Sequence, residues 1–195
     1  WMWGYDETVD VTLKTLKTVI RLMDEYPDFT FSQSQASIYE IVALHDTELL
    51  EQIKEKIHEG RWEVTASFWT ESDKNMPSVE SMFRHIIYTK NYLSNLLDIE
   101  KESIKICFEP DTFGHQMHLP EILQSGGIDY YYFCRGALDQ GMFYWASPSE
   151  AKVLAYQEPI WYNAGINPYD FAFYPEFLKQ NNLSSGLKVY GVGDH

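Results

Sequence analysis

Apolar positions recur along the chain at two periods, and the alternation between them predicts the elements. Val9, Leu13, Leu16, Val19, Ile20 and Met23 keep the three-to-four spacing of one helix face, and Pro27 closes that helix. Phe29–Ser32 then reads as a strand. Ile38, Ile41 and Val42 open a second helical stretch, with a break near His45. It resumes through Leu49, Leu50, Ile53 and Ile57 and stops at Gly60. Trp62–Thr65 is the second predicted strand, followed by a polar loop over 70–78 and a helix over 79–97. Ile104–Phe108 is the third strand, with a short helix from Leu119 to Gly126-Gly127 behind it. Tyr130–Cys134 is the fourth. Shorter strand candidates follow at 142–145 and 153–156, then a helix near 171–180 and a last strand at 187–192.

Strands alternating with helices over several units predict an α/β fold of parallel strands with outer helices. In such folds function gathers where the strands end and the loops begin. Polar residues recur at those ends: Gln33-Ser34-Gln35, Glu71 with Asp73 and Asn75, Glu109 with Asp111, Arg135, and Asp194-His195.

Composition narrows the function classes. The 29 acidic residues against 15 basic ones give a net charge of −14, a field that repels phosphate backbones and anionic lipids. Nucleic acid and membrane partners are therefore not expected, and no apolar run is long enough to span a bilayer. Aromatics at 16% suit either a large-residue core or stacking against sugars or nucleobases. Cys107 and Cys134 sit in apolar strand-like runs without CxxC spacing, which reads as reduced core thiols in a cytoplasmic protein. The chain opens at Trp1 inside a structured segment, so part of the domain is expected upstream.

The sharpest local pattern is Glu109-Pro110-Asp111-Thr112-Phe113-Gly114-His115, directly after an apolar strand. Two carboxylates at i and i+2 suit a site in which one reacts and the other tunes it. By spacing alone, Asp111 equally suits a cap on the following turn. His115 and His118 at i, i+3 suit a metal only if helical, and no acidic or Cys partner has the usual spacing. His45, His58 and His85 fall on helical segments as surface or interface residues.

Asp111-Thr112-Phe113-Gly114-His115 resembles the Asp-x-Phe-Gly-His element of glycoside hydrolase family 38, the α-mannosidases. Four further segments resemble that family in the same order. They are Trp1-Met2-Trp3 with Asp6-Glu7-Thr8, Gly60-Arg61-Trp62-Glu63 through Trp69, Asn75, Glu80-Ser81 and Arg84, Tyr132-Phe133-Cys134-Arg135, and Tyr190-Gly191-Val192-Gly193-Asp194.

The resemblance implies a distorted (β/α)7-type barrel, incomplete at both ends, with residues 1–195 forming part of one catalytic domain. It implies a retaining, zinc-dependent α-mannosidase acting on α-mannoside oligosaccharides, with a homo-oligomer possible for the full-length protein. Asp111 would be nucleophile and metal ligand, and Asp194 the acid/base. Arg135 would aim the nucleophile, and Trp1 and Phe113 would pack on the sugar. A surface arginine, a strand-end turn and a structural tryptophan remain the plain readings of Arg135, Asp194 and Trp1. The family's His-x-Asp pair, which supplies two zinc ligands, would fall just before Trp1, and its remaining histidine ligand beyond residue 195. Ala66-Ser67 stands where the family often has Gly-Gly. A non-catalytic carbohydrate-binding barrel and a metal-dependent deacetylase are the alternatives. The second would want an Asp-Asp pair and His-x-x-x-His, which this chain lacks.

Overall fold

A computed structural model describes residues 3–136, 141–162, 165 and 168–189. They fall into two compact units, one reaching to Thr70 with Arg84–Lys105 added, the other made of Glu71–Phe83 and the residues from Ile106 on.

In the first unit, α1 (Tyr5–Glu25) buries Leu16, Val19, Ile20 and Met23 of the predicted stripe together with Thr12, while Val9 and Leu13 are half-buried. It begins a turn earlier than the apolar pattern because polar residues can extend a helix. Asp6 and Glu7 sit in its first turn, where the helix dipole favours negative charge. Strand β1 (Phe31–Gln33) pairs in parallel with β2 (Trp62–Val64). The predicted break falls at Asp46, between α2 (Ala36–His45) and α3 (Thr47–His58). The Asp46 side chain accepts the Leu49 N–H at 3.0 Å and so caps α3. Trp62 donates its indole N–H to the Tyr39 hydroxyl at 3.0 Å, a polar contact that lets both buried rings stay in the core. Arg61 donates to the carbonyls of Met23, Tyr26 and Phe29, tying the end of α1 to the turn before β1. The Gly-Arg-Trp segment is thus structural in this unit. Helix α4 (Val79–Leu97) supplies Ile86, Leu93 and Leu97 to the core.

The second unit is built on a four-stranded sheet in the order β3 (Ile106–Glu109), β4 (Tyr130–Phe133), β6 (Lys152–Gln157), β5 (Met142–Ala146). Strands β3, β4 and β6 run parallel, and β5 runs antiparallel to β6. The sheet is therefore mixed, not wholly parallel as expected. Residues 147–151 are too few for a parallel crossover, so β5 and β6 can only form a hairpin. Helix α5 (Leu119–Ser125) ends at Gly126-Gly127, where Gly127 takes φ +70°. Helix α6 (Pro168–Gln180) follows the hairpin.

Two further expectations change. Among the described residues the strands form a parallel pair and a four-stranded mixed sheet, and no closed barrel. Residues 187–189 are not a strand: the Leu187 carbonyl accepts the hydroxyls of Tyr156 and Tyr174, both at 2.9 Å, and joins no ladder. Residues 190–192 lie outside the described residues. Cys107 and Cys134 are both buried and form no disulfide. No described helix is long and apolar enough to cross a membrane.

Candidate active site

The site is set by strand register. Glu109 pairs with Phe133 at the ends of β3 and β4, so Asp111 and Arg135 lie two residues beyond matched positions on adjacent parallel strands. Arg135 donates from Nε to Asp111 Oδ1 at 2.6 Å, and its terminal nitrogen forms an ion pair with the same oxygen. Both contacts use Oδ1, and no hydrogen bond to Oδ2 is found among the described residues. The pair is half-buried, with about a third of each side chain exposed (35% and 32%), so it is neither fully screened by water nor closed to a ligand. The Arg135 guanidinium lies 4.6 Å from the centre of the Phe113 ring and 5.1 Å from that of Trp161. Two aromatic rings thus help fix the arginine, and Phe113 remains 73% exposed beside it, open to a ligand.

His115 joins this group from the same loop. Its Nε2 lies 2.8 Å from the Arg135 carbonyl and its Nδ1 lies 3.0 Å from the Tyr131 hydroxyl. A carbonyl only accepts, so Nε2 carries the hydrogen and, in the neutral ring, Nδ1 accepts from Tyr131. Burial lowers the pKa of His115, which favours that neutral form. With both ring nitrogens engaged, His115 is a brace rather than a metal ligand. His118 is half-exposed and 3.7 Å from Glu121.

Glu109 does not pair with Asp111. Its carboxylate is buried and forms an ion pair with Lys74, itself fully buried. Burial pushes the Glu109 carboxyl up to about 7, against the attraction of Lys74. Glu71 accepts the Asp111 N–H at 2.6 Å, and burial raises its pKa too. Lys74 carried no signal in the sequence: a lysine between Asp73 and Asn75 in a polar loop reads as solvated. Trp161 was equally hidden, because Phe113 and Trp161 meet only through Arg135. Trp1, Asp194 and His195 lie outside the described residues.

Comparison with known proteins bears on this arrangement. Residues 1–191 match the family model described as the glycosyl hydrolases family 38 N-terminal domain. The chain belongs to glycosyl hydrolase family 38. It is 30% identical over its whole length to Alpha-mannosidase G of Dictyostelium discoideum, of which it covers 18%. Over 66% of its length it is 34% identical to human Alpha-mannosidase 2C1, covering 12% of that protein. The chain thus spans less than a fifth of the length of these curated relatives. Among solved structures, an alpha-mannosidase from Enterococcus faecalis V583 matches 98% of the chain at a TM-score of 0.77 and 22% identity, with 23% of that structure covered. A 4-alpha-glucanotransferase from Thermococcus litoralis matches 90% of the chain at a TM-score of 0.62 and 15% identity, with 28% of that structure covered. At these identities the structural likeness is one of fold.

Proposed function

We propose that this chain supplies the nucleophile side of the active site of a retaining, zinc-dependent α-mannosidase, and that its strands form part of a distorted (β/α)7-type barrel in the longer protein. One observation carries the reading: Asp111, on the family's Asp-x-Phe-Gly-His element, is held through one oxygen by Arg135 while its other oxygen is unbonded among the described residues. The relatives' names supply the substrate class, α-linked mannose.

The chemistry follows from that geometry. Mannosyl transfer passes through an oxocarbenium-like state, which a nearby carboxylate stabilises and then captures as a glycosyl ester. Arg135 pairs with Asp111 and limits its rotation, so the attacking oxygen is the one that Arg135 leaves open. Asp194, assigned by the family motif, would protonate the leaving oxygen and then draw a proton from the water that releases mannose. Retaining enzymes keep two such carboxyl groups about 5–5.5 Å apart. Phe113 would offer its exposed ring to the apolar face of the sugar.

Zinc fits this chain through one donor. The Asp111 carboxylate has the chemistry of a ligand, yet among the described residues no three His, Cys, Asp or Glu side chains gather closely enough to hold a metal. The other ligands would be the family's His-x-Asp pair and its later histidine, outside the described residues. When bound, zinc would orient the sugar's hydroxyls and favour a distorted ring.

The test is made on the full-length protein with an activated α-mannoside. Nuclear magnetic resonance should detect the α-anomer of mannose as the first product. Asp111→Asn should lower kcat by roughly 10³-fold or more, since it removes a nucleophile and a ligand together. A β-anomer first, or an Asp111→Asn enzyme above a tenth of wild-type turnover, would overturn the assignment.

A further inference from the structure

The loop that carries Asp111 has no ladder of its own. Residues 110–116 are irregular, so something outside their backbone must fix where the carboxylate points. The equally irregular segment 71–75 makes the ties. Glu71 accepts the Asp111 N–H at 2.6 Å and also bonds the Thr112 backbone. The Thr112 hydroxyl donates to the Ser72 carbonyl at 3.0 Å, and Gln116 donates to the Lys74 carbonyl at 2.8 Å. The Asn75 amide lies so close to Gly114 that a Cβ there would overlap it.

Lys74 sits at the centre. Its three N–H donors face the Glu109 carboxylate, the Ser72 carbonyl at 3.1 Å and the Ser72 hydroxyl at 2.9 Å. Both members of the ion pair are buried. An apolar pair of the same volume often stabilises a fold as well as a buried ion pair does, so stability alone is a poor reason for this one. What the charged pair adds is direction: Lys74 fastens the 71–75 segment to the end of β3, two residues before Asp111.

We propose that residues 71–75 form a clamp that fixes the Asp111 loop, with Glu71 and Lys74 as positioning residues for the nucleophile. The proposal rests on the reading of Asp111 as nucleophile, and its test has one arm that does not.

The experiment uses the full-length protein. Glu71→Ala removes the acceptor for the Asp111 N–H, whereas Glu71→Gln keeps an acceptor oxygen in the same place. Because misplacing a reacting group by about 1 Å can cost about 100-fold, Glu71→Ala should lower kcat by about tenfold or more, with KM changed less than about threefold. Glu71→Gln should recover most of it. In Glu71→Ala the amides of residues 111–116 should exchange hydrogen faster than in the wild type. Lys74→Met alone strands a buried carboxylate and risks misfolding, so it is made with Glu109→Met. That double variant should melt close to the wild type while its kcat stays low. Glu71→Ala with wild-type kcat and wild-type exchange would overturn the clamp, as would a double variant with both melting and kcat unchanged. If the wild-type protein proves not to cleave α-mannosides, the functional reading fails, and hydrogen exchange alone then decides the clamp.

Discussion

The His115 ring donates its Nε2 hydrogen to the Arg135 carbonyl at 2.8 Å, which links the fourth residue after Asp111 to the residue whose side chain holds Asp111. Tyr131, His115, Arg135 and Asp111 form a continuous chain of hydrogen bonds. The chain works only while His115 is neutral, since Nδ1 must accept the Tyr131 hydrogen.

A pH dependence follows. Burial lowers the folded pKa of His115 below its ordinary value near 6.5. The sign is that of a depressed group: the stabilisation is fully present above the unfolded pKa. It is lost as pH falls from there toward the folded value. Urea unfolding of the full-length protein should therefore show stability dropping below pH 6.5 more steeply than in His115→Phe. At pH 8 the same substitution should cost about 1 kcal/mol, the net value of a typical hydrogen bond. Parallel pH profiles for the two proteins would show that His115 is not a buried neutral brace.

The sequence made the long helices and their stops legible, because a one-sided apolar stripe such as Leu16–Val19–Ile20–Met23 can be buried in only one way. The Asp111–Arg135 pairing was legible only as motif, through the family resemblance. Its geometric cause, the Glu109–Phe133 register, depends on strand pairing that no local window contains. Lys74 is opaque for the same reason, since it looks solvated alone. Glu109 stands out as a partner for Asp111, and only the fold shows that it pairs with Lys74 instead. The mixed sheet was readable in principle, since residues 147–151 are too short to return a strand in parallel. The overall strand–helix alternation points to a parallel sheet, and that one short loop overrides it.

Asp46 offers a test confined to the first unit. Its carboxylate accepts from Lys17 at 2.7 Å and from the Leu49 N–H at 3.0 Å, and these contacts lower its pKa. Asp46→Ala should cost about 1 kcal/mol, as the loss of a helix cap does. With a depressed folded pKa the contribution is present above the unfolded value near 3.9 and lost as pH falls below it. The difference in melting temperature between wild type and Asp46→Ala should therefore shrink between pH 5 and pH 3. A gap that stays constant across that range would mean the carboxylate's charge does not contribute.

Asp194 can be tested through leaving-group chemistry. An acid/base matters most when the departing oxygen is poor, because activated aryl groups leave with little protonation. Asp194→Ala in the full-length protein should therefore lose far more activity on disaccharides than on activated aryl mannosides. Azide, which needs no deprotonation, should intercept the glycosyl ester and yield a mannosyl azide of retained configuration. Equal losses on both substrates with no azide adduct would return Asp194 to the role of a turn residue.

Zinc affinity tests the metal site proposed above. Zinc sites hold their metal with three or four deprotonated, preorganised donors, and the affinity collapses when most are missing. Asp111 is the one donor that the family motif assigns within residues 1–195, and Arg135 already occupies one of its two oxygens. A single carboxylate oxygen competes poorly with water for Zn²⁺. Titration calorimetry of residues 1–195 alone should thus give weak, non-stoichiometric zinc binding. The full-length protein should bind one zinc tightly, and a chelator should abolish its mannosidase activity. In the full-length protein Asp111→Asn should weaken zinc binding, whereas His115→Phe should leave the affinity within about tenfold, as expected of a residue outside the ligand set. Tight one-to-one binding by residues 1–195 would place the ligand set within this chain, with Asp194 and His195 the first to substitute.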